Sequence, residues 1–361
     1  MNLAFFGAYK SFDYYHIGGI DSLARRLATG LISAGDAVSF VHFGAPTVRE
    51  EVTPEGIALL YFRKFSDSLA ALSEKHSDVL TVYIPRKHRL EFARFRFIAR
   101  KRTRFHFLFC GWPEQAWRRY LALLDLRILP NNGMCFCVSP RLRRHVSRWL
   151  RRADLLLPPV PDRYFMRSID KPGNSRIRAV YLGRADTGKG VMTAYEVFKE
   201  LNKDQRFETA LFAYPWTDDP DSASVHRQLL SQRAVKYEPA DWLKHSPEVE
   251  DGVSEILQKA DIVLLPYSRL SSTIDTPLLV LESMAHLCGV ITYALGSLPE
   301  IYGSARWMSN ELDRPSQLLN LVVSMSEELD GERERLQEQT HRLSFSASET
   351  VERFRLALAA G

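Results

Sequence analysis

Apolar residues near the start of the chain follow two different spacings. A continuous apolar run at residues 3–6 predicts a buried strand, and apolar residues that recur on one helix face predict a helix over residues 20–31. Gly35 stands where a left-handed residue commonly ends a helix, and residues 38–43 predict a second strand. A strand, a helix and a strand in this order form a βαβ unit, whose strands pair in parallel.

The same alternation continues along the chain. Further strands are predicted at residues 57–62, 79–84, 105–109 and 135–138, and then at 179–182, 209–213, 262–265 and 290–293. Helices are predicted at residues 191–201, 278–286 and 346–360. Both halves therefore have the pattern of a doubly wound, Rossmann-like domain with a parallel sheet.

A proline-rich stretch around residues 155–175 separates the two series. Proline interrupts regular structure because its ring fixes the backbone and it lacks an N–H donor, so this stretch is interpreted as a linker. Ligands of doubly wound sheets bind at the carboxyl ends of the strands, so we expect an α/β protein with two domains facing across a cleft. The expected segments are an N-terminal domain over residues 1–165, a second domain over 166–344 and a C-terminal helix within 345–361.

The amino-acid composition indicates what class of protein this is and in which compartment we expect it. The 361 residues are 45% hydrophobic and 25% charged, which is ordinary globular composition and excludes a disordered, collagenous or coiled-coil chain. No apolar run approaches the roughly 18 residues of a membrane-spanning helix, and no basic residue precedes the first apolar run as in a secretory signal. The four cysteines show neither C-x-x-C spacing nor a paired framework, so we expect a reduced, cytoplasmic protein without structural zinc.

Gly18 and Gly19 lie between the first predicted strand and the helix that follows it. Backbone amides at the start of a helix bind anions together with the helix dipole, and glycine lets a ligand approach them closely. The alternative is an ordinary turn, because glycine is common in turns.

A second glycine-rich segment, Gly183-Arg184-Ala185-Asp186-Thr187-Gly188-Lys189-Gly190, follows the strand predicted at 179–182. An arginine and a lysine beside a glycine turn suit a diphosphate, because arginine binds oxygens as a fork and lysine as a point charge. The alternative is a pair of solvated cations in a loop.

The spacing of this segment also matches G-x-x-x-x-G-K, the phosphate loop of nucleotide hydrolases. Gly190 stands where that motif needs a Ser or Thr hydroxyl for magnesium. The strand at 262–265 ends in Pro266 instead of an acidic metal ligand. The hydrolase is therefore the weaker interpretation.

A third signal surrounds the helix predicted at 278–286. Thr276 is a good N-cap and Pro277 a good first helical residue, so the amides that follow, at Leu278 and Leu279, are expected to face a ligand. Glu282 follows within the helix, where a carboxylate can accept hydrogen bonds from paired hydroxyls such as those of a ribose. An exposed glutamate without a ligand is the alternative.

These segments, and the order in which they follow one another along the chain, resemble the retaining glycosyltransferases of family 4. That family has the GT-B architecture of two facing Rossmann-like domains. The resemblance covers nearly the full length of the chain. It is carried by Gly18-Gly19, the hinge at 157–160, Tyr181-Leu182-Gly183-Arg184 with Lys189-Gly190, residues 260–266, residues 276–282 and Leu298-Pro299-Glu300-Ile301.

The resemblance implies a role for each part of this pattern. Arg184 and Lys189 would hold the diphosphate of a nucleotide sugar and act as the main catalysts, by stabilising the charge that grows on the leaving group. Gly18 and Gly19 would approach the diphosphate from the first domain, and Glu282 would bind the ribose. The other residues expected at the donor are Asp275, Thr276, Pro277, Leu278 and Leu279.

The same resemblance implies transfer with retention of configuration, and a C-terminal helix that packs back on the first domain. No metal and no cofactor besides the nucleotide-sugar co-substrate is expected. The literal D-x-D at residues 219–221 would fit the metal-dependent transferases, but its proline favours a solvated turn.

Two departures from the family pattern concern the sugar. The family has two acidic residues spaced eight apart, and Glu282 matches the second of them. Ile274 stands at the position of the first, so either Asp275 takes the sugar contact or the donor sugar is held differently. The family often places a histidine near the end of a first-domain strand, where Gly111 stands here. His16 and His106 are the nearest substitutes, with Trp112 as a further acceptor-side residue, although either histidine also fits a structural role.

Basic residues are concentrated between positions 86 and 152, which hold 18 Lys and Arg but only three acidic residues. Interleaved aromatic residues favour the surface of an anionic membrane, where buried apolar area and charge attraction add. The alternatives are an amphipathic helix with solvated arginines and, last, nucleic acid, for which no binding motif is present.

The sequence thus predicts a cytoplasmic protein, peripheral on the inner face of the membrane, that transfers a sugar from a nucleotide sugar to a glycan or lipid-linked acceptor. Such a reaction would serve the synthesis of a cell-surface polysaccharide or glycolipid. A catalytically silent homologue that acts as a partner or scaffold is the competing hypothesis, because Ile274 and Gly111 depart from the family pattern.

Overall fold

The computed structural model describes most of the chain and divides it into two compact units. The described residues are 1–82 except 11, 13, 16 and 17; 103–112, 115, 117 and 120; 133–166 except 151; 175–240 except 217 and 218; and 248–360 except 270–273. The first unit comprises residues 1–159 and 345–361, and the second comprises residues 160–344.

The first unit is built on one sheet, which has eight strands within the described residues in the order β3-β4-β2-β1-β5-β6-β7-β8. All neighbouring strands pair in parallel except the edge pair β3 and β4. The strands are β1 (Asn2–Ala8), β2 (Ala37–Phe43), β3 (Arg49–Val52), β4 (Ala58–Phe62), β5 (Asp78–Val82), β6 (Arg104–Phe109), β7 (Cys135–Cys137) and β8 (Ala153–Leu155). Its helices are α1 (Gly19–Ser33), α2 (Phe65–Lys75) and α3 (Pro140–Ser147), with α11 (Ala347–Ala360) from the end of the chain.

The second unit holds a sheet that is parallel throughout its described strands, in the order β11-β10-β9-β12-β13-β14. The strands are β9 (Ile177–Arg184), β10 (Phe207–Tyr214), β11 (Lys236–Pro239), β12 (Ile262–Leu265), β13 (Gly289–Tyr293) and β14 (Met308–Ser309). The helices are α4 (Val191–Leu201), α5 (Pro220–Ser231), α6 (Glu248–Lys259), α7 (Leu278–Ala285), α8 (Leu298–Tyr302), α9 (Pro315–Ser326) and α10 (Leu329–Leu343).

Burial explains why the predicted strands are recognisable as continuous apolar runs. Residues 3–6 of β1 and 262–265 of β12 are completely buried, because a parallel sheet is covered on both faces by its crossover helices. The α/β class with two parallel sheets is confirmed. Gly35 has a φ of +83° just beyond α1, which confirms the helix end predicted there.

The C-terminal helix α11 packs on α1 of the first unit. Gly30 of α1 makes this approach possible, because a Cβ atom there would lie 2.5 Å from Cγ2 of Val351. The ring of Phe354 lies 4.8 Å from that of Phe136, and Arg104 donates a hydrogen bond to the carbonyl oxygen of Leu358 near the end of α11. The helix predicted at 346–360 and its packing on the first unit are confirmed.

Candidate functional site

The loop between β9 and α4 brings together the two cations that the sequence singled out. Arg184 is the last residue of β9, a 3-10 turn spans Thr187–Lys189, and Gly190 then leads into α4. Because β9 lies in the middle of a parallel sheet, this loop is at the carboxyl edge, where helices and loops present backbone amides.

Gly190 is required by its surroundings. Its φ is +74°, and a Cβ atom there would lie 2.0 Å from the carbonyl oxygen of Pro266, the residue after β12. A serine or threonine of a nucleotide-hydrolase phosphate loop therefore has no room at this position. The local geometry argues against the hydrolase interpretation.

Arg184 is oriented by two neighbours. Its Nε lies 2.9 Å from Oδ2 of Asp186, and its guanidinium carbon lies 5.3 Å from the centre of the Trp216 ring. The side chain of Arg184 is 33% exposed, so part of the guanidinium remains accessible to a ligand. An arginine held in this way loses less conformational entropy when it binds an anion.

Lys189 is partly buried beside an aromatic ring. Its Nζ is 4.7 Å from the centre of the Tyr267 ring, a distance typical of a cation–π contact. The pKa of Lys189 is lowered to about 8, mainly by burial and also by the positive charge of Arg184, while the carboxylate of Asp186 opposes the change. The two cations thus lie on one loop, and the charge of Arg184 acts on Lys189.

The D-x-D sequence at residues 219–221 forms the start of a helix, and the expectation of a solvated turn is wrong. The Asp219 side chain caps α5 by accepting a hydrogen bond from the backbone N–H of Asp221, and Pro220 is the first helical residue. Oδ2 of Asp221 accepts hydrogen bonds from both the backbone N–H and the hydroxyl of Thr187, at 2.9 and 2.8 Å. Asp221 thus anchors the outer side of the loop that carries the two cations.

The start of α7 at Leu278 agrees with the helix predicted at 278–286, but the cap differs from the prediction. Pro277 takes the cap position instead of Thr276, and no capping side-chain hydrogen bond is formed within the described residues. Thr276 is fully buried, and its Oγ1 has no hydrogen-bond partner in the described part of the chain. An unpartnered buried hydroxyl beside a helix N-terminus is a polar position that a ligand can satisfy.

The two carboxylates near α7 have different environments. Asp275 is buried, and its Oδ2 accepts a hydrogen bond of 2.9 Å from the hydroxyl of Ser297. Glu282 is also buried within α7, and its negative charge contributes to the raised pKa of Tyr267, whose main cause is burial. Tyr267 therefore has the Lys189 ammonium over its ring and lies within the electrostatic influence of Glu282.

In the first unit, Gly18 caps α1 and Gly19 is its first residue. Gly18 is extended, with φ of −147°, and no side chain among the described residues caps the helix. Asp21 in the first turn is buried and complements the positive end of the helix dipole. The pair has the predicted position between β1 and a helix.

The predicted acceptor-side residues differ in where they lie. His106 is completely buried near the amino end of β6, where Nε2 is 3.0 Å from Oδ1 of Asp78 and Nδ1 accepts a hydrogen bond from the Met134 N–H. This environment is that of a structural histidine. Trp112 follows the carboxyl end of β6 and stacks on His145, with 5.9 Å between the rings. His16 lies outside the described residues.

Part of the basic stretch at 86–152 lies outside the described residues, including 86–102. The described part includes α3, where Leu142 and Val146 are buried against the unit and Arg143 is exposed. Arg148 and Trp149 follow α3 and are exposed, as are Trp117 and Tyr120. This surface combines cations with aromatic side chains. Among the helices of the described residues, none has the length and apolar character needed to span a bilayer.

A comparison with protein families matches residues 176–328 to the model described as Glycosyl transferases group 1. The matched segment lies within the second unit and includes Arg184, Lys189 and Glu282. A comparison with curated protein sequences finds no match.

Solved structures match the chain over its whole length. Sucrose-phosphate synthase from Thermosynechococcus elongatus is 16% identical with a TM-score of 0.70, and 100% of each chain is covered. Anabaena HepE in complex with UDP-glucose is 10% identical with a TM-score of 0.70, again over 100% of each chain. WaaG, a glycosyltransferase involved in lipopolysaccharide biosynthesis, is 13% identical with a TM-score of 0.64 and covers 99% of this chain and 100% of its own.

These similarities show the GT-B fold, with two parallel-sheet domains, across the full chain. The group 1 match is a similarity of sequence that is confined to residues 176–328 of the second unit.

Several side chains were not predicted from the sequence: Asp186, Trp216, Tyr267 and Ser297 at the site, and Asp221 on the outer side of the loop. One of them had a local signal, because an aspartate three residues before Lys189 is a common cap of a turn. The others reach the loop from separate parts of the chain, and sequence spacing carries no information on such contacts.

Proposed function

We propose that the protein is a retaining glycosyltransferase of family 4 that moves a sugar from a nucleotide diphosphate sugar to a hydroxyl of a glycan or lipid-linked acceptor. The observation that carries this proposal is the pairing of Arg184 and Lys189 on one loop at the carboxyl edge of the second sheet. Two partly buried cations on one loop are costly without an anion to bind.

In the proposed reaction, the bond between the anomeric carbon and the diphosphate oxygen breaks, and the acceptor hydroxyl oxygen forms a bond to the same carbon. The acceptor proton passes to the departing diphosphate oxygen on the same face, which gives retention of configuration. Arg184 and Lys189 stabilise the negative charge that grows on the leaving group. Because these two side chains supply the positive charge, we propose that no metal ion is needed.

The donor is proposed to extend from this loop toward the start of α7. The amides of Leu278 and Leu279 and the hydroxyl of Thr276 offer donors to the sugar phosphate, and Pro277 leaves the helix start uncapped. Glu282 is proposed to accept hydrogen bonds from the ribose. Asp275, already engaged by Ser297, is proposed to hold the loop before α7 in place.

A transfer assay with purified protein tests this proposal. UDP-, GDP- and ADP-sugars are first screened by thermal shift, since a ligand at 100 times its Kd adds about 2.7 kcal/mol of stability. The binding donor is then incubated with candidate acceptors in the presence of a metal chelator, and the anomeric configuration of the product is read by NMR. Turnover with retention, lost in Arg184→Ala, supports the proposal. Binding without hydrolysis or transfer supports the silent homologue instead, which the apolar Ile274 favours.

The binding of the donor is expected to depend on pH through Lys189. Its ammonium is charged below its pKa of about 8 and neutral above it, so donor affinity is expected to be highest near pH 7 and to fall about tenfold by pH 9. Titration of UDP or the preferred nucleotide at several pH values measures this dependence. In a Lys189→Arg control, the charge persists and the fall should disappear. An affinity that is flat from pH 7 to pH 9 in the unaltered protein would exclude a titrating Lys189 from the site.

We also propose that the acceptor is reached at an anionic membrane surface, on its inner face, in the synthesis of a cell-surface polysaccharide or glycolipid. The exposed Arg143, Arg148 and Trp149 at and after α3 support this, because tryptophan and arginine together suit the membrane interface. WaaG, a structural neighbour, is involved in lipopolysaccharide biosynthesis.

Liposome sedimentation tests the membrane proposal. Binding is expected to require anionic lipid and to weaken at least fivefold when Arg143 and Arg148 are both replaced by glutamine, since each basic residue near the surface contributes about 1 kcal/mol. Replacement of Arg206, an exposed arginine of the second unit paired with Asp204, serves as the control. Equal binding to neutral vesicles, or equal losses in both variants, would argue against this surface.

A further inference from the structure

One buried carboxylate connects the two cations of the loop. Oδ1 of Asp186 accepts a hydrogen bond of 2.8 Å from the backbone N–H of Lys189, which closes the 3-10 turn, while Oδ2 lies 2.9 Å from Nε of Arg184. The Asp186 side chain is only 8% exposed. The same residue thus caps the turn that carries Lys189 and forms an ion pair with the guanidinium of Arg184.

An aspartate is an unexpected residue beside a site for an anion, because its charge repels a diphosphate. Its placement is understandable if the geometry of the cations matters more than this repulsion. Arg184 and Lys189 repel each other, and a carboxylate between them allows both to remain charged and close. Two other groups act on Lys189: the positive charge of Arg184 at the end of β9 lowers its pKa, and the Tyr267 ring lies under its ammonium. The negative charge of Glu282 in α7 in turn raises the pKa of Tyr267.

We propose that Asp186 is a positioning residue for the donor diphosphate: it holds the guanidinium of Arg184 and the backbone of Lys189 in the arrangement that binds the leaving group. This inference rests on the function proposed above. Asp186 itself does not touch the donor and takes no proton in the reaction. It leaves the outer nitrogens of Arg184 available, because its contact is to Nε.

The same loop has a second carboxylate that provides a matched comparison. Asp221 accepts two hydrogen bonds from Thr187 on the outer side of the loop, and the structure shows no contact between Asp221 and either cation among the described residues. If Asp186 only stabilises the loop, replacing Asp186 and replacing Asp221 should have similar consequences.

The experiment compares Asp186→Asn with Asp221→Asn. Asparagine at 186 can still accept the Lys189 N–H through its amide oxygen, but it loses the charged contact with Arg184. We expect Asp186→Asn to bind the preferred nucleoside diphosphate about tenfold more weakly at pH 7 and to lose affinity at lower pH than the unaltered protein, because Lys189 loses a favourable negative neighbour. Asp221→Asn should change affinity less than threefold and leave the pH dependence in place. Calorimetric titration with UDP, GDP and ADP measures both quantities.

The outcomes separate the possible roles. An acid that merely lies beside the site repels the anion, so tighter binding in Asp186→Asn would overturn the proposal. Equal losses in both variants with an unchanged pH dependence would show a purely structural role and would also overturn it. If the unaltered protein binds none of the nucleotides, the proposed function itself fails. If it binds but the asparagine variant behaves as the Asp221 control does, only this inference fails.

Discussion

Lys189→Ala is expected to lower the rate of sugar transfer by about 10² to 10³-fold, the loss typical when one group that stabilises a developing negative charge is removed. Lys189 is held above the Tyr267 ring in a partly buried position, where water screens its charge less than at an exposed site. The variant leaves the backbone N–H of residue 189 in place, so the hydrogen bond to Asp186 that closes the turn is retained. Steady-state kinetics with the preferred donor measures the loss.

Lys203→Ala is the matched control for this prediction. Lys203 lies in the same unit and forms an exposed ion pair with Glu200, so its replacement should change the rate less than twofold. Thermal unfolding of both variants shows whether the fold is retained. A fully active, folded Lys189→Ala protein would contradict the assignment of this side chain to the leaving group.

Gly190→Ala is expected to destabilise the protein by at least about 2 kcal/mol and to abolish donor binding. A left-handed backbone costs a residue with a Cβ atom about 1 kcal/mol or more by itself. The added Cβ at this position would also lie 2.0 Å from the Pro266 carbonyl oxygen, so the loop has to move away from β12 and takes Lys189 with it. Thermal unfolding and nucleotide titration give the two quantities.

Gly35→Ala separates the two causes. Gly35 has a similar φ of +83°, but no atom lies within 4 Å of the position of an added Cβ. This variant should therefore show the backbone cost alone, about 1 kcal/mol, with donor binding unchanged. If Gly190→Ala is no more damaging than Gly35→Ala, the close approach of the loop to Pro266 is not important for the site.

The central strands of both sheets can be predicted from the sequence, because fully buried parallel strands such as β1 and β12 consist of uninterrupted apolar residues. Strands β3, β8, β11 and β14 were missed, since they have only two to four residues and all but β14 are partly or largely exposed. Helices α2, α5, α6, α8, α9 and α10 were missed as well. Their buried faces are narrow and are set by packing against the sheet, which propensity alone does not specify.

The candidate site also has a part that the sequence predicts and a part that only the folded chain shows. Arg184, Lys189 and Gly190 could be found because all three lie on one continuous loop after a predicted strand. The cap of α7 was predicted one residue early, at Thr276, because a threonine followed by proline is a strong cap signal that tertiary packing overrides here. The contacts of Asp221 with Thr187 and of Tyr267 with Lys189 join segments 34 and 78 residues apart, and only the folded chain shows them.

The central claim is that Arg184 and Lys189 together hold the diphosphate of a nucleotide sugar. A crystal structure of the protein with its bound nucleoside diphosphate tests this most directly. We expect phosphate oxygens at roughly 2.7–3.2 Å from both the Arg184 guanidinium and Nζ of Lys189. A nucleotide bound with its phosphates elsewhere, while both side chains face solvent, would contradict the account.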